Sequence, residues 1–215
     1  MSDRNQMMAA VAAILQVVDW NKVELQDLIE AANGGKLGPA LTKWLGDKGW
    51  FPRPPPLVID RSISPVCRLG PEWSVWLGPA DGNGLEGEPD VDPRAGAVTT
   101  FDVSKVRFLS GLVEGESSIT GEERLKRLRI GTDIQIDAQT FWALYTEKGQ
   151  VTLRWLHDFY GVNWIEELGT ILRCPDGRRY SLVLDSFYDG SWDWGFRQLC
   201  NNCDADNPAI GLQVA

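Results

Sequence analysis

The last 36 residues, Tyr180 to Ala215, are poorly suited to helix, and this restricts the fold more than any other stretch. They hold six aromatics, five Asp, two Cys and a single Arg, with no Lys, Glu or Met. Asp, Asn and Ser compete with helix through local hydrogen bonds, and Gly gives up too much backbone freedom to join one. Such a segment reads as strands and turns. Its pairing of rigid aromatics with small adaptable polar groups is also the composition of a recognition surface.

The rest of the chain gives that tail a frame. At 215 residues there is room for one large domain, or a domain with a small appendage, without disulfide or metal staples. A net charge of −9 argues against nucleic acid or an anionic membrane as the partner. Four Cys do not make a disulfide framework, and no apolar run is long enough to cross a bilayer. Met7 to Val18 reads as an amphipathic helix rather than a signal peptide, since Arg4 is offset by Asp3 and Gln16 interrupts the run. The expected location is therefore the cytoplasm or a virus particle.

Residues 1–50 read as a helical unit. A helix over Arg4–Val18 is followed by a second, capped by Asn21 with Glu24 and ended at Gly34-Gly35. A short third opens at Pro39. Phe51–Pro56, FPRPPP, is the domain boundary, because it fits neither helix nor central strand. Strands are expected at Leu57–Asp60, Glu72–Gly78 and Phe101–Leu109, with a long loop over residues 79–97. Thr120 with Glu123 is a capping box for the helix ERLKRLR. Ile134 and Ile136 alternate as a strand before Asp137 caps a helix to Glu147, and a second helix runs to Tyr160. Ile171–Asp185 reads as a hairpin turning at Pro175-Asp176-Gly177, and Asp189-Gly190 turns the chain into Ser191–Leu199. IGLQVA closes the chain as an apolar strand.

The candidates for chemistry are few. Cys200-x-x-Cys203 suggests zinc with Cys67 and Cys174, or a redox pair, but the spacing forms no second knuckle. Asp81 to Asp92 has some features of a calcium loop, yet places Glu86 where an EF-hand needs Gly and Asp92 where it needs Glu. His157 is the only histidine, so Ser-His or Cys-His chemistry would rest on it alone. Asp185, Asp189 and Asp193 offer a hydrolase acid and base. None of these patterns is specific, and the expectation is a protein that is not an enzyme, without cofactor or metal. Trp192 and Trp194 lie two apart and share one face of a strand, with Asp193 on the other.

Asp189-Gly-Ser-Trp192, the Asn/Asp/Cys-rich stretch after it and Asn207-Pro-Ala-Ile-Gly-Leu together resemble the variable region of diversity-generating retroelement variable proteins. Gly131 to Gly177 also resembles hypothetical proteins of small-genome uncultivated prokaryotes, whose tails share the Trp-Asp-Trp frame and differ between. The resemblance covers Gly131–Ala215. It implies an α+β fold with a C-type-lectin-like domain over residues 57–215 and a variable region over about 180–215. In that family, adenine mutagenesis of AAY codons yields Asn, Asp, Ser, Tyr, Gly, Cys and Phe among others, but never Lys, Glu, Gln, Met or Trp. The tail obeys that filter, with Trp192, Trp194 and Gln198 as scaffold. The diversified positions implied are Ser181, Val183, Asp185, Ser186, Tyr188, Asp193, Gly195, Phe196, Cys200, Asn202, Asp204, Asp206 and Asn207.

The expected function is thus recognition of a protein or other macromolecule through a diversified surface. The rivals are a fixed-specificity or calcium-dependent lectin-like protein and, less so, a hydrolase using the tail carboxylates. A single surface would require Tyr188, Asp193, Phe196 and Asp204 to share a face.

Overall fold

The computed structural model describes residues 53–188 and 190–213. The expected helices over residues 4–48 lie outside these residues. Within them the chain is mixed α+β, with 24% helix and 31% strand.

One twisted sheet organises everything. Its long strands are β7 (Trp164–Arg173), β8 (Arg179–Ser186) and β9 (Trp192–Gln198), joined as antiparallel hairpins. The short β4 (Val106–Leu109) and the final β11 (Ala209–Leu212) complete the path β4-β11-β7-β8-β9. The closing strand lies inside the sheet, antiparallel to β4 and paired parallel to β7 at Ala209. β2 (Ser74–Val75) pairs with the far end of β7, and β6 (Ile134–Gln135) with β11. β1 (Leu57–Val58) pairs with β3 (Thr100–Phe101) apart from this sheet.

The helices start where their caps place them. In α1 (Gly121–Ile130) the Thr120 hydroxyl accepts from the Glu123 N–H, with Glu122 and Glu123 in the first turn and Arg127 and Arg129 in the last. That charge order matches the helix dipole. In α2 (Ala138–Thr146) the Asp137 carboxylate accepts from Thr140 N–H and hydroxyl. α3 (Val151–Tyr160) ends at Gly161, in left-handed conformation at φ 69°. The expected strand Phe101–Leu109 is broken instead. The Asp102 carboxylate captures Ser104 N–H and makes a turn of 3₁₀ helix before β4.

α2 and α3 cover one face of the sheet. Phe141, Trp142, Leu153 and Leu156 pack there on Ile165, Leu182, Leu184, Trp192 and Ile210, all buried. The opposite face carries a smaller cluster, in which Leu125 of α1 meets Trp76, Leu168, Ile171 and Leu199. An irregularity in β7 between Glu167 and Leu172 brings Gly169 against β6. A Cβ at Gly169 would lie 2.3 Å from the Ile136 carbonyl oxygen, so only glycine fits.

Candidate functional site

The tail loop is pinned by its backbone. After β9 the chain enters β10 (Asn202–Cys203), which pairs with β5 (Ile119–Thr120) at the start of α1. The Gly121 and Glu122 N–H groups donate to the carbonyls of Asn201 and Leu199. This approach is close: a Cβ on Gly121 would stand 2.9 Å from the Leu199 oxygen.

Below the loop lies a fully buried ion pair. Arg124 Nη1 donates to Glu166 Oε2 at 2.9 Å, and both side chains are fully buried. The same guanidinium donates to the carbonyls of Asn207 and Asp204. Glu166 Oε1 accepts from the Ser181 hydroxyl at 2.6 Å, and Glu166 N–H donates to the Pro208 carbonyl at 3.1 Å. A buried charge is tolerable only when paired and hydrogen-bonded. Here the pairing also ties residues 204–208 to the sheet. The loop adds its own turn: Asp204 Oδ1 accepts from Asp206 N–H and from the Asn207 amide. These bonds, the Asn207 amide first, lower the Asp204 carboxyl below its ordinary pKa.

The expected site residues divide by burial. Asp185, Tyr188, Asp193, Phe196, Cys200, Asn202, Asp204 and Asp206 are exposed. Ser186, Gly195 and Asn207 are partly so. Ser181 and Val183 leave the set: they are 0% and 4% exposed and present no side chain to a ligand. Both point away from α2 and α3, as alternation requires, but that face is covered here by the Arg124–Glu166 pair. Trp192 is buried, whereas Trp194 is half-buried, edge-on to Trp142 with ring centroids 5.2 Å apart.

A single tail surface is not what the register makes. Asp185 stands opposite Asp193, and Val183 opposite Gly195. By alternation these share the α1 side of the sheet with Trp164, which pairs with Asp185, and with Arg197, whose guanidinium lies 5.9 Å from the Trp164 ring centre. The Asp193 carboxylate, however, folds over the sheet edge to accept from Trp194 N–H and, at 3.3 Å, from the Tyr145 hydroxyl of α2. Phe196 is three residues from Asp193, so it takes the other face. There it meets Trp73 and Tyr180 at centroid distances of 4.9 and 5.6 Å. Arg197 also donates to the Asn202 carbonyl, linking hairpin to loop on the α1 side.

Two open clefts flank the loop. One, of about 300 Å³, has Trp76, Glu122, Arg178 and Arg179 as walls and Cys200 at its rim. The other, of about 360 Å³, sets Phe108, Tyr160 and Asn163 against Ala205 and Asp206. Each is lined by residues from within the tail and from outside it.

The other chemical candidates do not assemble. All four cysteines are free, with Cys200 exposed and Cys203 buried. Asp92, in the acidic loop, is tied to Arg94 and to Gln135 N–H. His157 bonds Asp158 at 3.0 Å at the surface. Among the described residues no three His, Cys, Asp or Glu side chains converge as metal ligands. No helix among them is long and apolar enough to cross a membrane.

No family model, curated protein or solved structure matches the chain.

The sequence points to Trp142, Trp155 and Trp164 as core residues on apolar faces; Trp142 is buried, whereas Trp155 and Trp164 are half-buried. Arg124, Glu166 and Arg197 were not singled out from sequence. ERLKRLR looks like a solvated helix face. The available signal was Glu166-Glu167 between Ile165 and Leu168, since adjacent strand residues face opposite sides and one acid must then point inward on a two-sided sheet.

Proposed function

We propose that this chain is a target-binding protein whose tail is a diversified contact surface on a C-type-lectin-like scaffold. The supporting observation is the division of labour in residues 199–208. Their backbone is held by Gly121, Glu122, Arg124 and Glu166, none of which belongs to the tail. Their side chains at Cys200, Asn202, Asp204 and Asp206 face solvent. A loop fixed in this way can change its side chains without losing its position. The contact set is then Asp185, Ser186, Tyr188, Asp193, Gly195, Phe196, Cys200, Asn202, Asp204, Asp206 and Asn207. Ser186 and Phe196 lie on the sheet face opposite Asp185 and Gly195, so the set is divided between two faces and does not form the single surface expected from sequence. The ligand is a protein or other macromolecule, recognised by aromatic anchors and adaptable polar groups. No catalytic step is assigned.

The test lies in the neighbouring DNA. The expected result is a near-copy of the tail codons, differing at adenines, beside a reverse transcriptase gene. A genomic flank holding neither would remove the diversification from this proposal.

A further inference from the structure

β9 is the edge of the sheet, and its outer side is only partly closed. The Leu199 N–H donates to the Arg179 carbonyl, and the Phe187 N–H to that of Ser191. In the register of β8 and β9 these belong to the hydrogen-bonded pairs, which fall on odd-numbered residues. The backbone groups of Trp192, Trp194, Phe196 and Gln198 therefore point outward.

The chain closes some of these itself. Gln150, in left-handed conformation at φ 47°, lays its side-chain amide along Trp192 like a neighbouring strand. Its Oε1 accepts from Trp192 N–H at 2.9 Å and its Nε2 donates to the Trp192 carbonyl at 3.0 Å. Trp194 N–H donates to the Asp193 carboxylate, and the Gln198 carbonyl accepts from Asn201 N–H. What remains open among the described residues is the Trp194 carbonyl, both backbone groups of Phe196, and the Gln198 N–H.

That remainder is complementary to itself. We infer that a second copy of this chain pairs with this edge, β9 against β9, antiparallel about a two-fold axis through Phe196. In such a ladder Phe196 faces Phe196 of the other copy and exchanges both hydrogen bonds. Trp194 faces Gln198, so the open carbonyl of one meets the open N–H of the other. Trp194 N–H and the Gln198 carbonyl also face each other, and the Asp193 carboxylate and Asn201 N–H that cap them within each copy lie in the gap and give way to this bond as the strands meet. An unrelated strand would have no reason to match this pattern, whereas a two-fold interface requires self-complementarity. Gly195 falls opposite Arg197, which puts Arg197 diagonal to both Asp193 and Arg197 of the other copy, so the Asp193 carboxylate is what offsets the two guanidiniums near the axis. Phe196, 51% exposed, meets its twin at the axis. Gln150 ends the ladder at Trp192 and so limits it to residues 194–198.

This contact is distinct from that of the tail's ligand: the ladder is main-chain, and among the proposed variable positions it depends on Asp193 and Phe196. Sedimentation equilibrium of the full chain from about 1 to 100 µM tests it. The expected result is a dimer that dissociates on dilution. Phe196→Pro removes an N–H that no internal bond uses, and should leave a folded monomer by circular dichroism. Asp193→Arg should weaken the dimer roughly tenfold or more, since it sets two cations together, and Asp193→Arg with Arg197→Asp should restore it to within about threefold. A chain that stays monomeric throughout would overturn the inference. So would a folded Phe196→Pro dimer, or a dimer indifferent to the charge changes. If Phe196→Pro does not fold, the charge exchange decides alone.

Discussion

Glu166 and Glu167 are neighbours in β7, both 0% exposed, and they meet opposite fates. Glu166 points toward α1, where Arg124 and Ser181 satisfy it. Glu167 points toward α2, where one oxygen accepts from Thr170 N–H and Oε2 has no partner. Burial, and then the nearby Asp137 charge, push its carboxyl well above the usual range. The two faces of one sheet are thus closed by different physics. Apolar packing of α2 and α3 closes the first. A smaller apolar cluster around Leu125 closes part of the second, and polar wiring closes the rest and ends on the carbonyls of the tail loop. A surface that changes its side chains is better held by main-chain bonds than by packing, because packing depends on the side chains themselves.

The largest effect should come from the apolar face. Trp192→Ala should lower stability by about 4 kcal/mol, read by chemical denaturation. Trp194→Ala, at a half-buried site, should cost less. Equal losses would mean that β9 is packed alike along its length.

Next is the polar face. Arg124→Met leaves Glu166 buried and uncompensated, and should lose about 3 kcal/mol. Arg124→Met with Glu166→Leu should lose clearly less, because no orphan charge remains. An additive double mutant would contradict the account of a paired charge. Loop 204–208 should also exchange its amide hydrogens faster in the single variant, since two carbonyl anchors go with the guanidinium.

Glu167→Gln isolates the other glutamate. A carboxyl whose pKa is raised by folding stabilises the fold below the unfolded pKa and loses that contribution as pH rises through the folded one. Stability relative to wild type should therefore climb for Glu167→Gln from about pH 4.5 upward, by no more than about 1.4 kcal/mol per pH unit. Thermal melts across that range decide it, and parallel curves would show that Glu167 is ionised in the fold. The smallest effects belong to the open surface. Asp204→Ala should cost about 0.5 kcal/mol through its turn, and Asp193→Ala less.

Local signals carried much of the fold. The Thr120 and Asp137 caps, the turn at Pro175–Gly177 and the stop at Gly161 are written in a few adjacent residues, and each stands where expected. What failed to show depends on distant partners. β7 begins at Trp164, seven residues before the expected start, because Glu166 is made acceptable by Arg124, 42 residues away. The last strand was legible as a strand, but not its place between β4 and β7. Ser181 and Val183 alternate outward as a surface pair would; only the tertiary position of α1 covers them. The split of Asp193 from Phe196 was implicit in the period of a strand, and counting residues alone would have found it.

The central claim is that the tail's exposed side chains are separable from the fold. Randomising the eleven positions of the contact set with NNY codons tests it, with Ser181 and Val183 randomised in a parallel set. Most variants of the first set should remain soluble and melt cooperatively, since surface changes usually stay within about 0.5 kcal/mol. Most of the second should not, because they strike the buried Glu166 network and the sheet beneath Gly195. If fewer than about a fifth of the first set folded, or the two sets fared alike, the tail would be ordinary structure and the claim would be wrong.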